Sequence, residues 1–571
     1  MVNFSINLDE RLLKLAQRAP DQWRVDGCGV TRSAKAIPVL VHDDAYVPDT
    51  HRTRVLLVGG LSGSFEDVSR SLEAIESYLD GGDDLAKEIA LSAVPCGNPD
   101  GLAAGISRSN AAGGNPATGY PPSDDGYYGH EHNPETRYLW RWISFNAPDV
   151  VLEVRNGISV RWEYSGSVSR IGTSLNAYPL AEEGSLLNAL AEGEPNKLAP
   201  IPGLLLTCPE DSLKSELTKL WAKLSQESAL GSSPARQVLD GRRSRTPLDV
   251  ARILGAVYGH KLNPVIYTQG VSLSGRLRLK ELDPDGEDPV PELVHTVHGY
   301  SSCTLDQVFG ETKSGSNLAG MVWADELTTA TGEKRYAEQL VEIADLYRTS
   351  EPGNVPPPSD PEYRPEDMFY AGALLGRATE ITGDESYIDI QARFLLDAGT
   401  QQENGLFWHD RTAPYFWGRG NGFAALGYCE TLTYLPRNHI ERGTIRRAHQ
   451  RHLEALQKYQ SPSGGWLEVI DFPGSYAELT VTCMVGYAMA RGMRVGWLDD
   501  SFKLSLAWAW QFVNERVDDE GGLVDVCTGT GVQPGLREVF DRPAIFGIDD
   551  RGGAMALWFA CEMERYLREL K

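Results

Sequence analysis

Hydrophobic residues form short, continuous runs in the first part of the chain, with amphipathic stretches between them. The clearest runs are RVLLVGG (54–60), IALSAVPCG (89–97), DVVLEVRNG (149–157) and GLLLTC (203–208). Runs of this length are typical of strands buried on both faces, which form a mostly parallel sheet with helices on either side. The pattern predicts an α/β domain over residues 1–230, and we assign 231–261 to a linker.

After residue 262 the strand signals fade and hydrophobic positions follow helical spacing. Two segments that begin at Thr328 and Thr379, and so lie 51 residues apart, are similar to each other. In each, an amphipathic helix ends at a Thr-Gly pair, and an acidic residue and a Tyr open the next helix. Gly332 and Gly383 stand where a residue with left-handed backbone conformation is expected to end a helix. A repeat of about 50 residues with one helical hairpin in each copy indicates a helical array.

Helix pairs account for the rest of the chain. They are expected near 267–300, 315–348, 367–398, 421–459 and 478–515, with a last helix at 551–568. The first helix of a pair often carries small residues, which allow close packing around a shared axis. With the last helix counted as an incomplete sixth pair, six hairpins close into an all-α, (α/α)6 toroid over residues 262–571. Its pocket is expected where the loops before the inner helices converge.

The composition favours a multi-domain protein and argues against some partners. The chain has 571 residues, too many for a single core. Its 54 basic and 79 acidic residues give a net charge of -25, which repels phosphate backbones, so nucleic acid is not an expected partner. We find no apolar run of membrane-spanning length and no secretion signal, so no membrane partner is expected. Eight scattered Cys without a C-x-x-C pair fit free thiols in a cytoplasmic protein.

Polar and aromatic residues cluster at the predicted starts of the inner helices. The candidates for chemistry are Glu366, Asp367, His409, Trp417, Arg419, Asn421, Phe423 and Glu478. Taken singly, each has an ordinary structural explanation. Acids at helix starts act as caps, aromatic residues fill cores, and an Arg in a Gly-rich turn pairs with a nearby carboxylate.

Taken together, these residue types favour a site for a sugar acid. Aromatic planes such as Trp417 and Phe423 cover the apolar face of a pyranose ring. Arg419 can bind a carboxylate through two parallel hydrogen bonds, and Asn421 can both donate to and accept from a hydroxyl. A carboxyl group among Met, Phe and Tyr side chains, as in the segment around Glu366, can have its pKa raised by desolvation, which lets it donate a proton near neutral pH.

These motifs resemble those of the unsaturated glucuronyl and rhamnogalacturonyl hydrolases, which form glycoside hydrolase families 88 and 105. The segments concerned are EDMFYAGALLGRATEITGDESYIDIQARFLLD, NGLFWHD, FWGRGNGF, QSPSGGWLEVID and SYAELTVTCMVGYAMARG, and the similarity covers roughly 310–530 in consistent order. The W-x-R-G-N motif, followed two residues later by an aromatic residue, is specific. The resemblance implies an (α/α)6 barrel for this part of the chain.

The resemblance also implies a reaction. Such enzymes remove a terminal 4,5-unsaturated uronic acid from short oligosaccharides. An aspartic acid protonates the double bond at C4, water adds at C5, and the resulting hemiketal opens. One carboxyl group serves as acid and then as base, and no metal or other cofactor is required. We therefore expect a glycoside hydrolase whose partner is a small oligosaccharide.

The site residues of the family are carried over position by position. Alignment on Met368 and Phe369 places Glu366 where the family has its catalytic Asp, so either Glu366 or Asp367 is the expected acid. Phe423 replaces the usual Trp. The expected substrate-binding residues are His409, Trp417, Arg419, Asn421, Phe423, Glu478, and Asn317, which falls near a second conserved Asp of the family.

Other functions stay open at this point. Because Glu366 and Asn317 depart from the family pattern, the same barrel could hydrolyse a saturated β-glucuronide. An epimerase or isomerase usually needs paired His residues, and only His409 is well placed for that role. A non-catalytic carbohydrate-binding protein is the alternative outside the enzymes. The sequence leaves the sugar, its linkage and the oligomeric state open.

The first domain resembles the zinc carboxypeptidase fold in RVLLVGGLSGSFED, AVPCGNPDGLA, NPETRYLWRWI and DVVLEVRNG. That fold requires three metal ligands, at positions that here hold Ser62, Phe65 and Arg155. Zinc catalysis cannot proceed without these ligands. His130 and His132 are close in sequence, but no third ligand stands out, so no metal site is expected. The resemblance thus implies a degenerate domain recruited for packing or to wall off the mouth of the barrel.

Overall fold

The computed structural model describes residues 7–123, 128–192, 198–226, 230–310, 313–348, 355–529 and 531–570. Contacts between residues divide the chain into two units. The first consists of Met1–Ser244, Phe472–Tyr476 and Phe540–Pro543, and the second of Arg245–Asp471, Ala477–Val539 and Ala544–Lys571. Among the helices of the described residues, none has the length and hydropathy that crossing a membrane requires.

The first unit contains one eight-stranded sheet. Its strands are β1 (Trp23–Val30), β2 (Ala36–His42), β3 (Thr53–Gly59), β4 (Ile89–Val94), β5 (Val150–Asn156), β6 (Arg161–Ser165), β7 (Tyr178–Pro179) and β8 (Gly203–Cys208). They lie in the order β1-β2-β4-β3-β5-β8-β6-β7. The four central strands, β4, β3, β5 and β8, run parallel to one another, and antiparallel pairs flank them. The apolar runs in the sequence form these central strands, as predicted.

Helices accompany this sheet. They are α1 (Leu8–Arg18), α2 (Phe65–Asp80), α3 (Gly82–Glu88), α4 (Pro99–Ala104), α5 (Pro134–Asn146), α6 (Ser169–Ser174), α7 (Leu186–Glu192), α8 (Glu210–Gln226) and α9 (Pro234–Arg243). Every residue of β3 and of β4 is buried. Both strands lie inside the sheet, with a strand on either side, and helices pack on the sheet. Val55 and Leu57 of β3 share a core with Leu72 of α2 and Leu217 of α8.

The structure differs from the prediction over 231–261, where a linker was expected. Helix α9 begins after Ser233, whose side chain accepts a hydrogen bond from the backbone N–H of Arg236. Helix α10 (Pro247–Gly255) begins with a reciprocal capping box between Thr246 and Asp249. A Pro at the start of a helix after a Ser or Thr cap is a strong local signal, and here it outweighs the polar composition of the segment. The boundary between the units falls between α9 and α10.

The second unit is mainly helical. Its further helices are α11 (Tyr267–Leu282), α12 (Val290–Ser301), α13 (Leu305–Phe309), α14 (Gly315–Leu318), α15 (Ala324–Thr331), α16 (Arg335–Asp345), α17 (Pro365–Thr382), α18 (Ser386–Asp397), α19 (Gly418–Tyr434), α20 (Arg442–Lys458), α21 (Leu479–Val495), α22 (Lys503–Arg516), α23 (Leu536–Phe540) and α24 (Asp550–Glu569). Short strands pair as β9 (Trp466–Leu467) with β10 (Ala477–Glu478), and β11 (Leu523–Cys527) with β12 (Ala544–Gly547).

The inner helices of this unit form a closed cycle of contacts. Helix α11 contacts α24, and α21, α19 and α17 follow in turn. A 3-10 turn at Ala319–Met321 contacts both α17 and α11 and completes the cycle. Outside it, α16 and α18 contact α17, α20 contacts α19, and α22 contacts α21. Helix α10 contacts α24, so the last predicted helix does have an outer partner, supplied by the segment that we had assigned to the linker.

Small residues bring the inner helices close together, as their positions in the sequence indicated. A Cβ added at Gly427 of α19 would lie 2.6 Å from the backbone of Met368 in α17. Gly332 and Gly383 end α15 and α17 in the left-handed conformation, with φ of 78° and 72°, which confirms the expected caps. All eight Cys are free thiols, and only Cys303 is not fully buried.

Candidate active site

A cavity of about 630 Å³ opens in the second unit where the inner helices begin. Its walls come from the first turns of α11, α17, α19 and α24, together with α14 and the segment after β11. The residues that line it are Lys261, Pro264, Ile266, Tyr267, Thr268, Gln269, Ser316, Arg364, Glu366, Tyr370, Trp417, Arg419, Phe423, Gly529, Gly531, Ile548, Asp549, Asp550 and Arg551. The loops before the inner helices therefore converge on one pocket, which is where the sequence pattern placed it.

Glu366 presents its carboxylate to this cavity from the first turn of α17. Its Oε1 lies 3.4 Å from Nε2 of His409. Its Oε2 is buried and has no hydrogen-bond partner among the described residues. Tyr370, one turn further along α17, also lines the cavity. The carboxylate is thus held among aromatic rings with one oxygen left for a ligand.

Asp367 lies outside the lining of the cavity although it follows Glu366 directly. Only 6% of its surface is exposed. Its Oδ2 accepts a hydrogen bond of 2.8 Å from the backbone N–H of Asp360, and its Oδ1 lies 2.7 Å from where a Cβ on Gly315 would stand. Burial raises the pKa of Asp367 to about 7, and the charges of Glu366 and Asp360 add to the shift. The structure separates the two candidate acids, because adjacent residues of a helix point about 100° apart.

His409 is buried behind Glu366 and links it to a second loop. Its Nδ1 lies 3.2 Å from the hydroxyl oxygen of Tyr415, and its ring centroid is 4.4 Å from that of Trp417. The Tyr415 hydroxyl in turn bonds to the backbone N–H and C=O of Gln533. His409 therefore lies behind Glu366 and Trp417, which both line the cavity, and its Nδ1 faces a hydroxyl that can either donate or accept.

Aromatic rings form one wall of the cavity. Trp417, at the N-cap of α19, donates from Nε1 to Oε1 of Glu468 at 3.0 Å, which fixes the plane of the indole. Phe423 packs edge-on against Tyr267 and Tyr370, at centroid distances of 5.5 and 5.4 Å. The sequence analysis proposed Trp417 and Phe423 for this role. It did not propose Tyr267, the first residue of α11, or Tyr370, in the second turn of α17.

Arg419 lines the cavity, but its terminal nitrogens are already engaged. Nη1 donates to the backbone carbonyl of Cys527 and Nη2 to that of Thr528. The guanidinium carbon lies 4.9 Å from the ring centre of Trp417, and the residue is only 2% exposed. In the described structure, this side chain ties α19 to the segment after β11.

Two buried carboxyl groups lie behind Trp417 and Arg419. Glu468 accepts hydrogen bonds from Trp417 and from the thiol of Cys527. Glu478 is the N-cap of α21: it accepts from the backbone N–H of Val481 at 2.6 Å and from that of Cys527 at 3.0 Å. Burial raises the pKa of Glu468 to about 8, with the charge of Glu478 adding to the shift, and burial likewise raises the pKa of Glu478. Glu478 thus supports the wall and does not line the cavity.

Two predicted substrate-binding residues have their amides engaged with the backbone. Asn421 accepts from the N–H of Phe407 and donates to the carbonyls of Phe407 and Trp417, and it is fully buried. Asn317 donates to the carbonyl of Val265 at 2.8 Å. Its neighbour Ser316, and not Asn317 itself, lines the cavity. These two Asn residues hold loops in position around the site.

The start of α24 supplies a charged wall that the sequence analysis missed. Lys261 and Gln269 bind the carboxylate of Asp550 at 2.9 and 2.7 Å. Asp549 caps α24 and pairs with Nη1 of Arg551. The helix start carries the same signal as the others, because the small-residue run GGAMALWF follows it directly. Polar and aromatic residues at the starts of inner helices were the criterion that identified Glu366 and Trp417, and the same criterion applies to the start of α24.

Ser62, Phe65 and Arg155 occupy the positions in the first unit where a zinc carboxypeptidase has its metal ligands, and here they make other contacts. Ser62 and Arg155 line a cleft of about 310 Å³ at the carboxyl ends of β3 and β5. Arg155 pairs with Glu153 and, at 2.6 Å, with Glu182. Phe65 is the first residue of α2. Within the described ranges no group of three or more His, Cys, Asp or Glu side chains could hold a metal ion.

The chain is similar to curated enzymes over part of its length. It is 25% identical over 169 residues to the unsaturated 3S-rhamnoglycuronyl hydrolase of Alteromonas sp. (strain LOR), covering 27% of this chain and 41% of that enzyme. It is 28% identical over 216 residues to the unsaturated rhamnogalacturonyl hydrolase YesR of Bacillus subtilis (strain 168), covering 36% of this chain and 60% of that enzyme. The chain thus spans between two fifths and three fifths of the length of these relatives.

The chain is also similar to a solved structure and matches a family model. The structure of a family 105 glycoside hydrolase from C. acetobutylicum ATCC 824 is 20% identical, covers 52% of this chain and 94% of its own, and superposes with a TM-score of 0.48. The family described as Glycosyl Hydrolase Family 88 matches residues 263–567, which is more than half of the chain. That match confirms the resemblance found in the motifs: the chain belongs to Glycosyl Hydrolase Family 88.

Proposed function

We propose that this glycoside hydrolase removes a terminal 4,5-unsaturated uronic acid from short oligosaccharides, with Glu366 as the acid. The observation that carries the proposal is the position of Glu366, which lines the cavity beside His409 while Asp367 is buried. Two curated relatives are named as unsaturated rhamnoglycuronyl and rhamnogalacturonyl hydrolases, which supports a substrate of this class.

The fold that we infer has two parts. The closed cycle of inner helices, each with an outer partner, supports an (α/α)6 toroid for the second unit. For the first unit we infer a carboxypeptidase-like domain without metal chemistry. The replacement of the expected ligands by Ser62, Phe65 and Arg155 supports this inference, since Arg155 is paired with two carboxylates.

The reaction begins with proton transfer from Glu366 to C4 of the unsaturated ring. Water then adds its oxygen to C5, and the carboxylate of Glu366 takes up the proton that the water releases. The hemiketal formed at C5 opens, and the remaining sugar leaves. A single carboxyl group acts first as acid and then as base, so the second flanking carboxylate of most glycosidases is not needed. His409, 3.4 Å away, orients the carboxyl group.

The aromatic wall of the cavity binds the ring of the uronic acid. Tyr267, Tyr370, Trp417 and Phe423 present apolar surface to the cavity, and the flat unsaturated ring packs against such a surface. The polar start of α24, with Asp549, lies in the same cavity and suits the hydroxyl groups of the sugar. The site therefore combines an apolar platform with polar groups that fix orientation.

The test is an absorbance assay that follows the loss of the conjugated double bond. Unsaturated glucuronyl and galacturonyl disaccharides are added to the wild type, to Glu366→Gln and to Asp367→Asn. We expect the wild type and Asp367→Asn to remove the absorbance and Glu366→Gln to leave it. Persistence of the absorbance with the wild type on every unsaturated disaccharide would refute the proposed reaction.

A saturated β-glucuronide is the second candidate substrate. Hydrolysis of a saturated glycoside needs a second carboxylate to activate water or to act as nucleophile. Asp549 and Asp550 line the same cavity as Glu366 and could supply it. Release of free glucuronic acid from saturated disaccharides, abolished by Glu366→Gln and by Asp549→Asn, would favour this candidate over the first.

A further inference from the structure

The guanidinium expected to bind the carboxylate of the sugar is already partly engaged within the protein. A bidentate clamp needs two parallel N–H groups that point at the ligand. Nη1 and Nη2 of Arg419 donate instead to the carbonyls of Cys527 and Thr528, within the protein. Nε of Arg419 has no hydrogen-bond partner among the described residues, but its terminal nitrogens are engaged, so an anionic ligand gains from a second cation with two free N–H groups.

We propose that Arg551 receives the carboxylate of the uronic acid, an inference that rests on the proposed function of the same cavity. Arg551 lines the cavity, and a third of its side chain is exposed. Nη1 pairs with Asp549, which holds the guanidinium in one orientation. The opposite edge, formed by Nε and Nη2, has no acceptor among the described residues. That edge offers the two parallel N–H groups that a carboxylate binds.

Gly529 keeps this edge open. A Cβ at Gly529 would lie 3.4 Å from Nη2 and 3.7 Å from Nε of Arg551, where a ligand oxygen would otherwise sit. Gly529 also lines the cavity. The carbonyls that Arg419 holds, those of Cys527 and Thr528, immediately precede Gly529. Arg419 thus acts as a positioning residue that places Gly529 beside Arg551.

The start of α24 adds to the attraction for an anion. Arg551 stands in the first turn of a helix that runs for 20 residues, and the N-terminus of such a helix carries partial positive charge. Two other cations of the cavity, Lys261 and Arg364, each face a carboxylate of their own. Lys261 pairs with Asp550 at 2.9 Å, and Nε of Arg364 faces Asp360 at 3.2 Å.

The test measures binding without turnover, in the full chain carrying Glu366→Gln. The probes are glucuronic acid and its uncharged methyl ester, titrated by calorimetry. We expect the free acid to bind more tightly than the ester, and Arg551→Gln to weaken binding of the acid by about 10- to 100-fold while it leaves the ester unchanged. Gly529→Ala should also weaken binding of the free acid. Arg568→Gln, on the same helix and paired on the surface with Glu564, is the matched control and should change neither affinity.

Several results would overturn the inference. They are an equal affinity of the parent protein for acid and ester, a preference for the acid that survives Arg551→Gln, and a preference that is lost in Arg364→Gln instead. Unchanged ester binding in Arg551→Gln shows that the variant is folded. If no unsaturated disaccharide is turned over but Arg551 still governs the acid preference, the reaction proposed above fails while the carboxylate site stands.

Discussion

Oε1 of Glu366, in the first turn of α17, lies 3.4 Å from Nε2 of His409, in the loop before α19. The hydroxyl of Tyr415 meets the other nitrogen of the same imidazole. A carboxylate, an imidazole and a phenol thus form a chain that leads from the cavity into the protein. Asp367, the sequence neighbour of Glu366, has no part in this chain.

We predict that Glu366→Gln and Asp367→Asn have unequal effects on activity. Loss of a positioned acid costs about 10²- to 10⁴-fold in rate, so Glu366→Gln should reduce kcat by that amount. Asparagine at 367 can still accept the hydrogen bond from the N–H of Asp360, so this variant should lose less than about tenfold. Initial rates on an unsaturated disaccharide, with matched circular dichroism spectra, give the comparison. The reverse order of effects would contradict the assignment of Glu366.

The second prediction concerns stability and pH. The pKa of Glu468 is raised to about 8 in the folded protein from an ordinary value of 4.5. Between these values the folded state holds a proton that the unfolded state has released, so the free energy of unfolding falls as the pH rises through this window. Above the folded pKa this contribution to stability is lost. Glu468→Gln resembles the protonated form and should flatten the decline.

Urea unfolding of wild type and Glu468→Gln at a series of pH values from acid to mildly alkaline measures this effect. Glu403→Gln, at an exposed position of the same unit, is the control and should follow the wild-type curve. Parallel curves for wild type and Glu468→Gln would show that Glu468 does not hold the proton.

The third prediction concerns the contact between α17 and α19. A Cβ at Gly427 would meet the backbone of Met368 at 2.6 Å, so Gly427→Ala forces the two helices apart. We expect a loss of about 1–3 kcal/mol in the free energy of unfolding. Gly443, in the first turn of α20, is the matched control: its nearest neighbour is the flexible end of Arg447 at 3.5 Å. Gly443→Ala should be neutral or stabilise slightly, because Ala favours a helix over Gly. Equal effects of the two substitutions would rule out the close contact.

The fourth prediction concerns a buried ion network among the inner helices. Glu430 is fully buried and pairs with Arg377 at 2.7 Å and with Arg491 at 3.7 Å. Burial alone would raise the pKa of Glu430, but these guanidinium groups outweigh it and lower the pKa. Glu430→Gln removes one carboxylate from Arg377 and Arg491, which keep Asp325 and Glu562 as partners, and should cost about 1–3 kcal/mol of stability. Glu380→Gln, exposed near the end of α17, should change it by less than about 0.5 kcal/mol. A thermal or urea unfolding curve for Glu430→Gln that matches the wild type would refute this.

Most elements of the fold could be predicted from local patterns. The buried runs became β3, β4, β5 and β8, and the repeat with its Gly332 and Gly383 caps became helical hairpins. Helix α10 was missed although Thr246, Pro247 and Asp249 form a local start signal, because the polar composition of 231–261 outweighed that signal in the prediction. A nine-residue helix outside the repeat carries little periodic signal of its own.

The candidate site also has features that the sequence predicts and features that depend on the tertiary structure. The sequence by itself determined which helix starts gather around the cavity, because motifs and hydrophobic periodicity are properties of neighbouring residues. Only the tertiary structure decided which side chains face the cavity. Glu366 and Asp367 share one helical turn and differ only in direction, and the donors of Arg419 are taken by carbonyls of residues 527 and 528, more than 100 positions away. Such partners are chosen by long-range packing, which no local pattern records.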